Sequence, residues 1–346
     1  MHIFLTCINT LNGHVLKGFV FLETPTKRPP NISAWPAMGK CDAELGVQYD
    51  DPPIIRWIKM DDYRFTTFRM VLKRAKSPTL IVNGTSRHFP LNQIVVNAQS
   101  ELRGKNVLHV LSSSHGPLSD LDMFAKLVTQ HIEYHRSIGI LSTIYFCRKH
   151  LCHGHKTHKV LQDLISDSKL ELLEWDEVPQ VDGWPYYDQA LQYNYAALSY
   201  FGRGVSLFIA DLDEFVAIKG SRSIFEHLNL DIGCSELARF NIFVSQPSSS
   251  QDLHHPFLGS SHFWANRLGQ GKSIINPDNI LGVYVHEGVA CGTWGMETGC
   301  ESQIGCKRVD AECARVAHHA NLISNRTAQP LGAIVDQSWL NVSYQL

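Results

Sequence analysis

The sequence lacks an excess of charge of either sign. Its 346 residues include 31 lysines and arginines against 33 aspartates and glutamates, which gives a formal net charge of -2. Nucleic acids and anionic membrane surfaces are bound through clusters of positive charge, so the composition predicts no nucleic-acid partner. The apolar content of 44% is enough to fill a large core, which indicates a globular protein.

A long hydrophobic run is also missing from the N-terminus. A membrane span requires about 20 consecutive apolar residues, and the first 25 residues contain no such run. The first basic residue, Lys17, comes late for a signal peptide. We therefore expect membrane association only through an anchor that is not evident in this chain.

The nine cysteines lack the spacing of a zinc knuckle. Four of them crowd into 23 residues without a C-x-x-C pair, and that spacing is poor for zinc. It is compatible with disulfides, which form in oxidising compartments, although free thiols remain an alternative. Four N-x-S/T sequons give mild support for a Golgi or other secretory lumen. The cysteines are Cys291, Cys300, Cys306 and Cys313, and the sequons begin at Asn31, Asn83, Asn325 and Asn341.

Differences in composition and pattern divide the chain into three parts. Residues 1–104 are rich in proline and polar residues and contain β-like alternation in RFTTFRMVLKR (64–74) and PTLIVNG (78–84), which predicts a β-rich N-terminal module or extension. Residues 105–322 alternate between buried-type strands and amphipathic helices. Residues 323–346 form a C-terminal tail in this division.

Four strands and three helices are predicted between residues 106 and 211. The strands are NVLHVLSS, ILSTIYFC, LELLEW and GVSLFIAD, and the helices begin near Ser119, His158 and Tyr187. Strands that alternate with helices form right-handed crossovers. The pattern therefore predicts an α/β fold with a Rossmann-like, mostly parallel central sheet flanked by helices. The histidine-rich tract at 150–158 is interpreted as a solvated loop.

An acidic cluster follows the last of these strands, in FIADLDEF (208–215). Residues i and i+2 of a strand project to the same side, about 7 Å apart, so Asp211 and Asp213 are expected to converge while Leu212 turns into the core. Ligands of parallel sheets bind beyond the carboxyl ends of the strands. Mn²⁺ or Mg²⁺ prefers oxygen ligands and can hold a diphosphate. The cluster therefore predicts a metal site.

Two other interpretations of this cluster remain. An acidic strand end can simply face solvent. A haloacid-dehalogenase-like phosphatase also carries D-x-D after an apolar strand, with the first Asp as nucleophile. That motif belongs on the first strand of its fold and usually has Thr or Val where Phe215 stands, so the phosphatase is the weaker alternative.

Three segments together resemble glycosyltransferase family 92. The block from 185 to 216 is similar to the family's pattern of Y-G-Q, N-D-C and an apolar strand into D-x-D-E-F. The segment HIEYHRSIGILSTIYF (131–146) is similar to W-I-x-Y-H-x-x-x-G, with His131 in place of tryptophan, and GKSIINPDNILGVYVHEG (271–288) is similar to K-x-I-x-x-P…H. HHAN (318–321) stands where the family has H-Y-R. The matching residues are Tyr187, Gln189, Asn194, Asp211, Asp213, Glu214, Phe215, Lys272, Ile274, Pro277 and His286.

The resemblance implies a GT-A fold that binds a nucleotide-sugar donor and a divalent metal, Mn²⁺ or Mg²⁺. By this likeness Asp211, Asp213, His286 and His319 are the candidate metal ligands, and Lys272 and Gln189 join the two aspartates in donor binding. For the two histidines, a purely structural role is the alternative. An inverting transfer also needs a general base, for which Glu287, Asp278 and Asp252 are all eligible.

The function implied is the inverting transfer of a hexose, galactose being the commonest expectation, from a UDP-sugar to a glycan acceptor. The alternative from another class is a catalytically degenerate glycan-binding or scaffold protein with the same fold.

Overall fold

The structure is a computed structural model of the whole chain. The residues that it describes are 2–10, 13–21, 32–36, 48–49, 65–72, 78–82, 85–88, 107–113, 120–175, 186–220, 223–229, 231, 233–244, 262–267, 271–283, 288–295 and 299–319.

Every element described before residue 104 is a strand, and these strands form two small antiparallel sheets. One has the order β1-β2-β5-β4 and the other the order β3-β6-β7. Their bounds are β1 His2–Thr10, β2 Gly13–Phe21, β3 Ile32–Pro36, β4 Gln48–Tyr49, β5 Phe65–Leu72, β6 Pro78–Val82 and β7 Thr85–His88.

The central sheet begins with four parallel strands in the order β10-β9-β8-β11. The chain passes from β8 to β9 and β10 on one side and then crosses to β11 on the other side of β8. The strands are β8 Val107–Leu111, β9 Ile140–Arg148, β10 Leu170–Trp175 and β11 Ser206–Ile209. The point between β8 and β11, where the direction of winding reverses, is the usual ligand site of such sheets.

In the described residues, four helices lie between these strands, one more than the sequence pattern predicts. They are α1 Leu121–Ser137, α2 Lys149–Thr157, α3 Lys159–Ser166 and α4 Tyr186–Ser199. Helix α1 begins one residue later than expected, because the carboxylate of Asp120 accepts hydrogen bonds from the first-turn amides and so caps the helix. The tract at 150–158 is mostly helix α2 rather than a loop, since Cys152 and His155 bury one side of it.

The remaining strands make the sheet mixed, so the prediction of a mostly parallel sheet was wrong. The order continues from β11 through β15, β13 and β20 to β12. β15 is antiparallel to both of its neighbours, and β12 is antiparallel to β20. β13 and β20 are parallel to each other, whereas the antiparallel neighbours can be joined without a crossover helix.

These strands are β12 Glu214–Ile218, β13 Cys234–Val244, β14 His262–Arg267, β15 Lys272–Ile275, β19 Lys307–Arg308 and β20 Ala314–His319. A separate antiparallel sheet contains β16 Ile280–Val283, β17 Gly288–Gly295 and β18 Gly299–Gly305.

Helices cover both faces of the parallel strands. Helices α1 and α3 pack Phe124, Val128 and Leu161 against one face, in a cluster that also takes up Leu212. Helix α4 packs against the opposite face, where Tyr193 joins another buried cluster. None of the described helices is long and apolar enough to cross a membrane.

Two contacts tie distant parts of the chain together. Lys17 of β2 is almost fully buried and donates hydrogen bonds to the carbonyls of Pro277 (2.6 Å) and Ile280 (2.8 Å). Cys306, one of the four crowded cysteines, forms a disulfide with Cys234 of β13. Lys17 therefore attaches the N-terminal hairpin to the segment that leads from β15 into β16, and the disulfide attaches the segment before β19 to β13.

Candidate functional site

The site is built on a tight turn rather than on a strand end. We call residues 211–214, which connect β11 to β12, the D-x-D turn. The amide of Glu214 donates to the carbonyl of Asp211 (3.0 Å), and the Glu214 carboxylate accepts from the amide of Asp211 (2.9 Å). Leu212 is buried, as predicted. The turn thus closes on itself and leaves its two aspartates at the carboxyl end of β11.

Asp211 is fixed from two sides while its side chain keeps 35% exposure. Its Oδ1 accepts a hydrogen bond from Gln189 Nε2 of α4 (3.0 Å), and its Oδ2 accepts one from Lys272 Nζ (2.9 Å). The amide of Gln189 also donates to the hydroxyl of Ser112, which follows β8 (3.0 Å). Gln189 therefore joins the carboxyl ends of β8 and β11 across the point where the winding reverses.

Lys272 is a buried cation inside the acidic cluster. Its side chain has no solvent exposure, and its ammonium lies 2.9 Å from the carboxylates of both Asp211 and Glu214. Burial by itself lowers the pKa of Lys272, but the charges of Asp211 and Glu214 outweigh it and raise that pKa above its ordinary value. Lys272 is thus a permanent charge of the protein rather than a mobile surface group.

Strand register explains why Lys272 reaches this position. Ser273 of β15 pairs with Ile209 of β11, and the two strands are antiparallel. Lys272, the residue before Ser273, therefore lies beside the residues that follow Ile209 and lead into the turn. Gly271 makes the approach possible, because a Cβ at this position would clash with the carbonyl oxygen of Leu237. The sequence GK therefore combines a close backbone contact with a buried charge.

The fixed charges of the cluster do not cancel. Glu214 is completely buried and also pairs with Arg239 of β13 (2.9 Å). Three carboxylates thus face two permanent cations, Lys272 and Arg239, for a sum of -1. A divalent ion would change that sum to +1, a charge that suits a bound diphosphate.

Asp213 is bound to β20. The amide of His319 donates to its carbonyl (2.8 Å), and His318 Nε2 lies 3.6 Å from its carboxylate. Burial raises the pKa of Asp213, and the contact with His318 opposes that rise. The side chain of Asp213 is 14% exposed, so the carboxylate still reaches the surface.

The two histidines of β20 have different surroundings. His319, the candidate metal ligand, is buried and packs edge-on against the ring of Phe215, with 5.3 Å between ring centroids. His318 instead approaches Asp213, because neighbouring residues of a strand point to opposite faces. The sequence analysis did not select His318, although this alternation and its position in HHAN were both available signals.

The other candidate residues fall into two groups. Asp278 lies beyond β15, which runs antiparallel to β11, so it is at the opposite end of β11 from Asp211. There it accepts a hydrogen bond from the amide of Gly202, just past α4. His286, Glu287 and Asp252 lie outside the described residues.

Polar residues that the sequence analysis did not single out line the end of β8. Ser113 donates from its amide to Gln192 Oε1, and the amide of Gln192 donates back to the Ser113 hydroxyl, both at 2.9 Å. Ser112 binds Gln189, as described above. These serines flank the reversal point between β8 and β11, and a topology-based search of the strand ends would have found them.

The carboxylates of the turn are of the ligand type that a hard divalent ion prefers. Such ions bind through one or two carboxylates and complete their shell with water and substrate phosphates, and Asp211 and Asp213 supply partly exposed carboxylates. Within the described ranges, no three His, Cys, Asp or Glu side chains form a group that could hold a metal. The fit therefore depends on oxygen ligands from the phosphates.

Neither a scan against protein-family models nor a search of curated proteins found a match for this chain. The likeness to glycosyltransferase family 92 rests on the motifs in the sequence.

Proposed function

We propose that the protein is a metal-dependent glycosyltransferase that moves a hexose from a UDP-sugar to a glycan acceptor. The observation that carries the proposal is the position of Asp211. It stands at the carboxyl end of β11, beside the reversal point of a doubly wound sheet, with a partly exposed carboxylate held by Gln189 and Lys272. This is where such sheets bind nucleotides.

The residues of the turn have separate roles in this proposal. Asp211 and Asp213 hold Mn²⁺ or Mg²⁺, which when bound neutralises the charge that develops on the leaving diphosphate. Gln189 fixes the orientation of the Asp211 carboxylate. Lys272 limits the repulsion between Asp211 and Glu214, and does not contact the diphosphate, because it has no exposed surface.

The acceptor hydroxyl must lose its proton on the face opposite the leaving group, as inversion requires. Asp278 lies at the other end of β11, so we do not assign it as the general base. Glu287 and Asp252 are the remaining candidates. His286 is the candidate for a third protein ligand of the metal.

A specific observation favours the non-catalytic alternative. The ammonium of Lys272 already binds one oxygen of the Asp211 carboxylate. In a protein that had lost metal binding, this internal cation would still neutralise the carboxylate in place of a metal ion. A scaffold or glycan-binding protein of this fold is therefore our second candidate. The phosphatase requires its D-x-D on the first strand, whereas β11 is the fourth of the parallel strands, so we do not propose it.

The Cys234–Cys306 disulfide supports an oxidising compartment, and we propose the Golgi or another secretory lumen as the location. Protein from a secretory host should then show at most seven reactive thiols after denaturation without reductant, since two of its nine cysteines are paired. Nine reactive thiols would contradict this proposal.

Release of UDP from a panel of UDP-sugars, with and without Mn²⁺, tests the proposed function. We expect metal-dependent release of UDP, fastest from UDP-galactose, by slow transfer of the sugar to water when no acceptor is present. A glycan acceptor should accelerate UDP release, because the sugar is then transferred to the acceptor hydroxyl. Binding of a donor without release of UDP under any condition would favour the non-catalytic candidate. Absence of both binding and release would overturn the proposal.

A further inference from the structure

Three buried histidines pack together next to the D-x-D turn. We call His109 of β8 and His131 and His135 of α1 the histidine cluster, and each member is at most 1% exposed. The ring centroid of His131 lies 4.4 Å from that of His109 and 4.0 Å from that of His135. Histidines are seldom buried this completely without a specific set of partners.

The cluster binds the backbone on both sides of the two aspartates. His109 Nε2 lies 3.1 Å from the carbonyl oxygen of Ala210, the residue before Asp211. His131 Nε2 lies 2.9 Å from the carbonyl oxygen of Glu214, the last residue of the turn. The two imidazoles therefore hold the points where the chain enters and leaves the turn.

Helix α1 also satisfies the outer edge of β12. Among the described strands, β12 is the last in the order of the central sheet, so one row of its backbone groups has no strand partner. The amide of Val216 donates to His135 Nε2 (3.3 Å), and the Tyr134 hydroxyl donates to the Val216 carbonyl (2.6 Å). Side chains of α1 thus replace a neighbouring strand, as buried backbone groups require.

These contacts fix the tautomer of each histidine. His135 Nδ1 must carry the proton, because it lies 2.9 Å from the carbonyl oxygen of His131 and its Nε2 accepts from an amide. His131 and His109 must carry theirs on Nε2, since each Nε2 donates to a carbonyl. His135 Nδ1–H is shared between the His131 carbonyl and His131 Nδ1 (3.1 Å), which accepts, and His109 Nδ1 accepts from the Thr143 hydroxyl (3.4 Å).

We propose that the histidine cluster positions the D-x-D turn for donor binding, as a neutral network in which all six ring nitrogens are used. The inference rests on the proposed function. Its members are positioning residues, because they bind the backbone of the turn and not the donor.

Calorimetric titration of UDP in the presence of Mn²⁺ tests the inference with variants of His131. His131→Leu removes the donor to the Glu214 carbonyl and should weaken UDP binding about tenfold, the effect of one lost hydrogen bond to a buried carbonyl. His131→Gln keeps an amide donor at the position of Nε2 and should restore affinity to within about threefold of the wild type. His155→Leu is the matched control: His155 is buried, and its Nδ1 contacts the Leu151 carbonyl of its own helix.

The control separates positioning from general stability. His131→Leu and His155→Leu should both lower the melting temperature, but only His131→Leu should lower UDP affinity. Equal affinity in the two leucine variants would overturn the positioning role. If wild-type protein does not bind UDP, the proposed function fails, and hydrogen exchange decides the inference alone. Amides of residues 211–216 should then exchange faster in His131→Leu than in His155→Leu, and equal rates would overturn it.

Nitrogen NMR of wild-type protein labelled at histidine tests the network without any variant. We expect His135 as the Nδ1–H tautomer and His109 and His131 as the Nε2–H tautomer, all neutral at pH 6. Any other set of tautomers, or a charged member at that pH, would contradict the proposed network.

Discussion

The ammonium of Lys272 lies 2.9 Å from a carboxylate oxygen of Asp211, although 61 residues separate the two in the sequence. The same ammonium lies 2.9 Å from Glu214, so a single buried cation keeps two neighbouring carboxylates from repelling each other. This relationship fixes the positions of the two carboxylates at the ends of the turn.

Removing this cation should destabilise the fold. Lys272→Met leaves the buried Glu214 carboxylate with Arg239 as its one cation and removes the cation beside Asp211, for which we expect a loss of about 3–5 kcal/mol in the free energy of unfolding. Lys156→Met is the control: its pair with Glu174 is nearly half exposed, so the change should stay below about 1 kcal/mol. Urea unfolding of both variants measures the difference. If both variants lose less than about 1 kcal/mol in the free energy of unfolding, the buried ion pairs of Lys272 do not stabilise the fold.

Gly271 should tolerate no side chain. An added Cβ would clash with the backbone oxygen of Leu237, so Gly271→Ala must shift β15 and with it Lys272, at a cost of about 1–3 kcal/mol. Gly154→Ala is a control of opposite sign, because that glycine lies inside α2 with only ordinary contacts and alanine favours helix by roughly 0.5–1 kcal/mol. Thermal unfolding distinguishes the two, and stabilisation by Gly271→Ala would contradict the close approach.

The sequence predicts the first half of the sheet because its signals are local. The apolar runs of β8 to β11 and the helices between them are visible as periods of two and 3.6 residues. Such local periods do not show that Lys272 contacts Asp211. Lys272 reaches Asp211 through the pairing of Ser273 with Ile209, which is a contact between distant segments of the chain. The role of His318 likewise depends on the face to which β20 turns, which no short motif specifies.

The histidine cluster should make the free energy of unfolding decrease as the pH is lowered. Burial lowers the pKa of His109 to about 3 and those of His131 and His135 well below the ordinary 6.5. Below pH 6.5 the unfolded chain therefore binds protons that the folded protein excludes, and the free energy of unfolding decreases as pH falls toward 3. The nearest charges act oppositely on His109, since Asp211 raises its pKa and Lys272 lowers it.

Urea unfolding between pH 8 and pH 5 measures this dependence. Three histidines together give a slope of up to about 4 kcal/mol per pH unit once all of them are protonated in the unfolded chain. His131→Gln should reduce the slope by up to a third. A flat profile across this range would contradict the burial of three neutral histidines.

Lys17 should connect the stability of the N-terminal hairpin to that of the central sheet. Lys17→Met removes the donor to the Pro277 and Ile280 carbonyls, for which we expect a loss of about 1–3 kcal/mol. Lys169→Met, which removes an exposed pair with Asp167, should change stability by less than about 1 kcal/mol. Separate unfolding transitions, with Lys17→Met affecting only one, would show that residues 1–104 fold independently.

Calorimetric titration of UDP into wild-type protein, Asp211→Asn and Asp213→Asn, each with and without Mn²⁺, tests the proposed metal site most directly. Both substitutions keep the size of the side chain and remove its charge, so the fold should remain intact. We expect Mn²⁺ to increase the affinity of the wild-type protein for UDP and to have no effect on either variant. An equal, metal-dependent gain in all three proteins would show that Asp211 and Asp213 do not bind the metal.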